Sequence, residues 1–124
     1  LEETPKNWKA FYDAMGEDEH NKWCKELLYL YSSPYTRVLL ITGRPDSYKA
    51  ITERWLDSHH INWGWLYMRK EGDHRPDTVV KKEIYEQYIK GRYDIEFVID
   101  DRKSVVDMWR AEGLVCLQCA EGNF

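Results

Sequence analysis

Apolar residues recur along this chain in short unbroken runs separated by amphipathic stretches. Residues 38–41 are wholly apolar and lead into Thr42-Gly43-Arg44-Pro45, and Phe97-Val98-Ile99 runs directly into Asp100-Asp101. Two further runs lie at residues 66–68 and 114–117. Brief all-apolar runs rich in branched side chains predict strands buried on both faces, as in a parallel sheet covered by helices. Between them the spacing predicts three helices. The first follows Asp46 or Ser47 as a cap and turns Ile51, Trp55 and Leu56 inward; the second runs from Thr78 to about Ile89. The third places Val105, Val106, Met108 and Trp109 at helical spacing and stops at Gly113. Ahead of residue 38 the pattern predicts a helix around residues 8–15, with Trp8, Phe11, Tyr12 and Met15 on one face. A second spans residues 21–31, after an acidic break and before the turn at Pro34. The fold class expected is α/β, a Rossmann-like parallel sheet with right-handed crossovers and helices on both faces.

A chain of 124 residues is one domain with room for a hydrophobic core. Its formal charge of -4 argues against a non-specific nucleic-acid coat protein, although basic residues cluster locally. No apolar run approaches membrane-spanning length, and the opening residues lack the basic-then-apolar order of a signal peptide. Three cysteines are too few and odd in number for a disulfide framework, which predicts a reducing, cytoplasmic setting. Six Trp and nine Tyr suit a packed core and equally offer stacking surfaces; composition does not choose between these uses.

Asp100 and Asp101 fall at the carboxyl end of a central strand, where open α/β sheets place their sites. Adjacent carboxylates there repel each other and call for a compensating cation. Mg²⁺, which takes one or two carboxylates and fills its shell with water and phosphate oxygens, is the expected one. The bland alternative is an acidic loop that caps the next helix, with Asp101 near Ser104. Thr42, Gly43 and Arg44 offer a hydroxyl, a glycine and a guanidinium fork at another strand end, a combination suited to an oxyanion. Lys81 and Lys82 begin a helix behind Asp77. Lysine is unfavourable against the helix dipole there, so either a bound phosphate and the Asp pair attract one of them or both are solvated. Residues 69–77 mix Arg69, Lys70, His74 and Arg75 with Glu71, Asp73 and Asp77, either clamping a polyanion or pairing internally. Cys116 and Cys119 spell C-x-x-C beside a strand, where the two side chains face opposite ways, so no zinc site is expected. His59-His60 reads as a helix end.

The ordered set of a strand-end Thr, a helix-leading Lys and a strand-end Asp-Asp resembles motifs II to IV of the haloacid dehalogenase-like phosphohydrolases. ITGRPDSYKAITERWL, YMRKEGDHRPDTVVKKEI and FVIDDRKSVVDMWRAEGLVCLQCAEGNF resemble, over residues 35–124, the phosphatase domain of bacteriophage-type polynucleotide kinases. The segment 1–34 resembles the small helical cap such proteins carry between motifs I and II. The resemblance implies that Thr42 hydrogen-bonds the transferred phosphoryl group and Lys81 neutralises it. It implies that Asp100 binds Mg²⁺ with the catalytic Asp101 beside it. Gly43, Arg44, Arg75, Asp77 and Arg102 become candidate substrate contacts.

One part of the pattern is missing. Motif I, a strand ending D-x-D-G-T, supplies the aspartyl nucleophile in that superfamily, and no such sequence occurs among these residues. The expectation is therefore an α/β core without its first strand, downstream in a longer protein that could carry a kinase or ligase domain. The leading reading is a Mg²⁺-dependent phosphatase acting on 3′-phosphorylated RNA or DNA ends through an aspartyl-phosphate. The bare chain is expected to be inactive, able to bind phosphate but not to attack it. The alternatives are a phosphatase of small substrates such as nucleotides, and a non-catalytic domain that binds nucleic-acid ends or a protein.

Overall fold

Each apolar run of residues 36–122 becomes a strand, and each amphipathic stretch between two runs becomes a helix. The computed structural model describes residues 4–9 as backbone, together with residues 26, 36–60 and 63–122. In chain order these form β1 (Thr4–Lys9), β2 (Thr36–Pro45), α1 (Lys49–Ser58), β3 (Trp65–Arg69), α2 (Asp77–Ile84), β4 (Val98–Asp100), α3 (Lys103–Ala111) and β5 (Cys116–Gln118). A 3-10 turn at Asp46–Tyr48 leads into α1, and a π-helical turn at Tyr85–Ile89 prolongs α2.

All strand pairs are parallel, in the ladders β1-β2-β3 and β4-β5. β1 also packs against β4 and so joins the two ladders. Because successive strand residues point to opposite faces, an unbroken apolar run feeds two cores at once. Val38, Leu40 and Ile99 meet Leu56 of α1 and Leu66 on one face. Leu39, Ile41 and Val98 meet Val80, Val106 and Trp109 from α2 and α3 on the other. The α/β sheet covered on both sides is thus the consequence of strands with no polar side. α3 ends where Gly113 takes φ 89°, a left-handed position that lets Leu114 N–H bond the Trp109 carbonyl at 3.1 Å. Among the described residues no helix is long and apolar enough to cross a membrane.

Three expectations change. A strand stands ahead of residue 38 at Thr4–Lys9, pairing in parallel with Thr36–Ile41 of β2, where the sequence reading placed none. Its residues, TPKNWK, carry no apolar run, so the pairing answers to the open edge of β2 rather than to local pattern. Trp8 and Lys9 belong to this strand; the rest of the helix expected over residues 8–15 lies outside the described residues. So does the one over residues 21–31, apart from Glu26, which is helical. On α1 the buried positions are Thr52 and Leu56, while Ile51 is exposed. The 3-10 turn delays the helix to Lys49 and rotates its face. Neither Asp46 nor Ser47 caps it: Asp46 accepts the Glu71 N–H at 3.0 Å and Ser47 donates to the Glu71 carboxylate, tying the turn to the loop after β3.

Candidate active site

The carboxyl end of β2 departs from regular pairing. Register passes from Thr42 opposite Met68 to Pro45 opposite Arg69, so Gly43 and Arg44 bulge out of the ladder. Arg69 closes the gap. Its Nε donates to the Gly43 carbonyl at 2.8 Å, its Nη1 to the carbonyls of Asp73 at 2.9 Å and Arg75 at 2.6 Å, and its Nη2 to Asp77 at 2.8 Å. One half-buried guanidinium therefore fastens a strand end, the 69–77 loop and the start of α2. Sequence reasoning counted Arg69 only among the loop's charges. Its one signal was the last position of a strand, which cannot name partners.

Asp77 is the hub of the charges. Besides Arg69 it meets Lys81 Nζ at 3.4 Å and Arg102 Nε at 3.6 Å. Burial works to raise its pKa, but Lys81, Arg102 and Arg69 outweigh it and hold the carboxyl below its ordinary value. A Cβ on Gly43 would run into this carboxylate, so glycine here makes room for Asp77.

Lys81 is fully buried, between Asp77 and Asp100, with Nζ 4.0 Å from Asp100 Oδ2. Lys82 is 49% exposed and pairs with Glu112 at 3.4 Å. The adjacent lysines thus divide into one held by acids and one solvated. Asp100 closes β4, also fully buried. Its Oδ1 accepts the Arg102 N–H and its Oδ2 the indole N–H of Trp109, both at 3.2 Å. Sequence spacing marked Trp109 as an inward helix residue, but a buried indole N–H also needs an acceptor, and the acceptor proves to be the strand-end acid. Asp101, half-buried, accepts the Gln118 amide at its carbonyl at 3.2 Å.

Thr42 is fully buried at the end of β2, its Oγ1 accepting the Arg44 N–H at 3.1 Å. Arg44 turns toward α1, where Nη1 donates to the Thr52 hydroxyl at 3.3 Å and the guanidinium lies 5.1 Å from the Tyr48 ring centre. Arg75 grips Asp73 through Nε at 2.9 Å and Nη2 at 2.8 Å, and Glu83 at 2.7 Å. The hydrogen bonds from Arg75 depress the Asp73 carboxyl well below the usual range. The 69–77 loop is therefore internally ion-paired. The structure brings Gly43, Asp77, Lys81, Asp100 and Arg102 into one linked cluster at the strand ends. Arg44 and Arg75 engage other partners.

The donor set suits a cation held by few protein ligands. Asp100 and Asp101 are the strand-end carboxylates that would hold Mg²⁺, an ion that takes one or two carboxylates and fills its shell with water and phosphate oxygens. Among the described residues no three His, Cys, Asp or Glu side chains group into a cage.

Residues 6–124 match the family described as the polynucleotide kinase PNKP phosphatase domain. The chain belongs to that family. A putative bifunctional polynucleotide kinase/RNA ligase of Autographa californica nuclear polyhedrosis virus is 30% identical over 83 residues, 66% of this chain and 12% of that protein. A chain of the Pnkp1/Rnl/Hen1 complex superposes over 100% of this chain with a TM-score of 0.88 and 31% identity, covering 48% of its own length. A chain of the Pnkp1/Rnl/Hen1 RNA repair complex gives 0.84 and 32% over 98% of this chain and 43% of its own. The chain thus spans less than half of these relatives. The haloacid dehalogenase-like fold anticipated from the strand-end motifs is the fold of this PNKP phosphatase domain.

Proposed function

We propose that this domain removes the phosphate from 3′-phosphorylated RNA or DNA ends, with Mg²⁺ as cofactor and an aspartyl-phosphate as intermediate. The observation that carries the reading is the buried ammonium of Lys81, held between Asp77 and Asp100 where β2 and β4 end. A fixed cation, a hydroxyl and a metal-binding carboxylate are what phosphoryl transfer asks of a protein, since its transition state spreads charge over three equatorial oxygens. Thr42, accepting from Arg44, keeps its own O–H to donate to one of those oxygens. Lys81 would neutralise another. Asp100 would hold the Mg²⁺, with Asp101 beside it, and the ion when bound would offset the charge of the transferring group. Gly43, Asp77 and Arg102 would shape the phosphate's seat. Arg44 and Arg75 would join only by leaving Thr52 and Asp73.

The nucleophile would come from a D-x-D-G-T strand outside these residues, in the same protein or a partner, because β1 contains no aspartate; that strand would have to take the place between β2 and β4 that β1 holds here. Likeness to a chain of an RNA repair complex and to a viral polynucleotide kinase/RNA ligase favours nucleic-acid ends over small phosphate esters. The test joins such a strand upstream of the chain. Hydrolysis of a 3′-phosphorylated oligonucleotide is expected, with none from the unjoined chain. A folded, joined protein that stays inert on every phosphate ester overturns the reading. Equal turnover of mononucleotides would assign it to small substrates instead.

A further inference from the structure

A groove of about 540 Å³ lies along β3, which lends it every residue from Trp65 to Met68. Asp46 and Lys49 also line it, and Met68 stands next in the chain to Arg69 of the linked charges. Four of its lining residues, Trp65, Tyr67, Tyr88 and Tyr93, are aromatic. Tyr67 and Tyr88 stack with ring centres 5.6 Å apart and planes 26° apart, and Trp65 lies 6.4 Å from Tyr67. Trp65 is 54% exposed and Tyr88 40%, a costly display for side chains that could have been buried.

Tyr88 owes its place to the π-helical turn at Tyr85–Ile89. A π turn takes one more residue than an α turn and is a poorer helix, so it persists where it positions something. Here it sets Tyr88 over Tyr67 while Tyr85 and Ile89 stay buried in the core. Two exposed cations, Lys49 and Arg92, line the groove beside these rings. Its one acid, Asp46, already accepts the Glu71 N–H. Burial pushes the Tyr67 phenol up to about 12, with Tyr93 adding to the shift, so that ring stays neutral.

We infer that this groove binds single-stranded nucleic acid, its bases stacking on Trp65 and Tyr88 and its phosphates drawn by Lys49 and Arg92. Aromatic faces and flanking cations are the two components of sequence-tolerant strand binding. From Met68 to Trp65 β3 rises roughly 10 Å, the height of about three stacked bases. Resting on the proposed 3′-phosphatase reading, the groove receives the nucleotides that precede the terminal phosphate. The substrate class is then a polymer end with a single-stranded tail.

Binding and hydrolysis separate the two ideas. The first measurement is Trp fluorescence and anisotropy of the 124-residue chain with a single-stranded oligonucleotide ending in a 3′-hydroxyl. Such a strand needs the groove but not the phosphate site. Binding that weakens with salt is expected, reduced at least tenfold by Trp65→Ala and by Tyr88→Ala at unchanged circular dichroism. Lys49→Glu and Arg92→Glu should each make the salt dependence shallower. In the joined, active protein the same variants should raise KM for a 3′-phosphorylated oligonucleotide and leave turnover of a 3′-phosphorylated mononucleotide unchanged. Oligonucleotide affinity that is absent, or untouched by all four substitutions, overturns the inference whatever the hydrolysis shows; a groove that covers a protein partner would give that result. Oligonucleotide binding lost by these variants in a protein inert on phosphate esters would keep the groove and remove the phosphatase reading.

Discussion

The indole N–H of Trp109, near the end of α3, donates at 3.2 Å to the carboxylate of Asp100, which closes β4. Both side chains are fully buried, so a core aromatic sets the orientation of the proposed metal-binding acid. Trp109 also meets Tyr85 edge-on at 5.6 Å, which locks the ring that carries the donor.

Trp109→Phe should therefore do two things. It should destabilise the domain by about 1–3 kcal/mol, through a lost hydrogen bond to a buried charge and a small void, read as a lower urea midpoint. In the joined protein it should also raise the Mg²⁺ concentration needed for half-maximal turnover, because Asp100 loses an orienting partner. A Mg²⁺ requirement unchanged in a folded variant would show that Arg102 N–H and Lys81 suffice.

Gly43→Ala should lower stability by about 1–3 kcal/mol, since its Cβ would displace the Asp77 carboxylate from Arg69 and Lys81. The cost belongs to the pair. In a double-mutant cycle with Asp77→Ala, which removes the obstacle, the double variant should lose less than the sum of the two single losses. Simple additivity would mean that the strain lies elsewhere in the bulge.

Asp77 predicts an acid limb in the stability curve. Its folded pKa is lowered, with burial opposing and the three cations prevailing, so its contribution is complete above the unfolded carboxyl value of about 4. It is lost as pH falls from there through the folded pKa. Asp77→Asn should be less stable at pH 7 by about 3 kcal/mol and should lose less of its remaining stability on acidification to pH 3. Urea titrations across that range compare the two slopes, and parallel curves would refute the assignment.

Adjacent lysines should behave oppositely. Lys82→Met removes an exposed pair with Glu112 and should change stability by less than about 1 kcal/mol, leaving turnover intact. Lys81→Met should abolish hydrolysis in the joined protein. If circular dichroism shows that variant folded and kinetics show it active, the buried ammonium has no part in phosphoryl transfer.

Cys116 should resist alkylation. Burial pushes its thiol up to about 12, and the charge of Asp100 adds to the shift, so almost no thiolate exists at pH 8. Iodoacetamide should leave Cys116 unlabelled in the folded protein and label it in urea, as read by peptide mass.

From residue 36 on, the succession of strands and helices and the inner face of α3 were legible in the sequence because they follow from periodicity, which is local; the face of α1 was not. An unbroken run such as residues 38–41 has no polar side, so it must lie within a covered sheet, and Asp100 must then stand at a strand end. The resemblance singled out Lys81 over Lys82, and the packing of α2 buries the first and leaves the second exposed. The partners were not legible. That Arg69 reaches back 26 residues to the Gly43 carbonyl, or that Trp109 finds Asp100, depends on where a bulge and a helix axis fall in space. β1 carries no apolar pattern at all and is a strand because β2 offers it an edge. Local chemistry sets what each segment can become. Hydrogen bonds between distant segments, whose geometry no short stretch encodes, choose which polar groups meet.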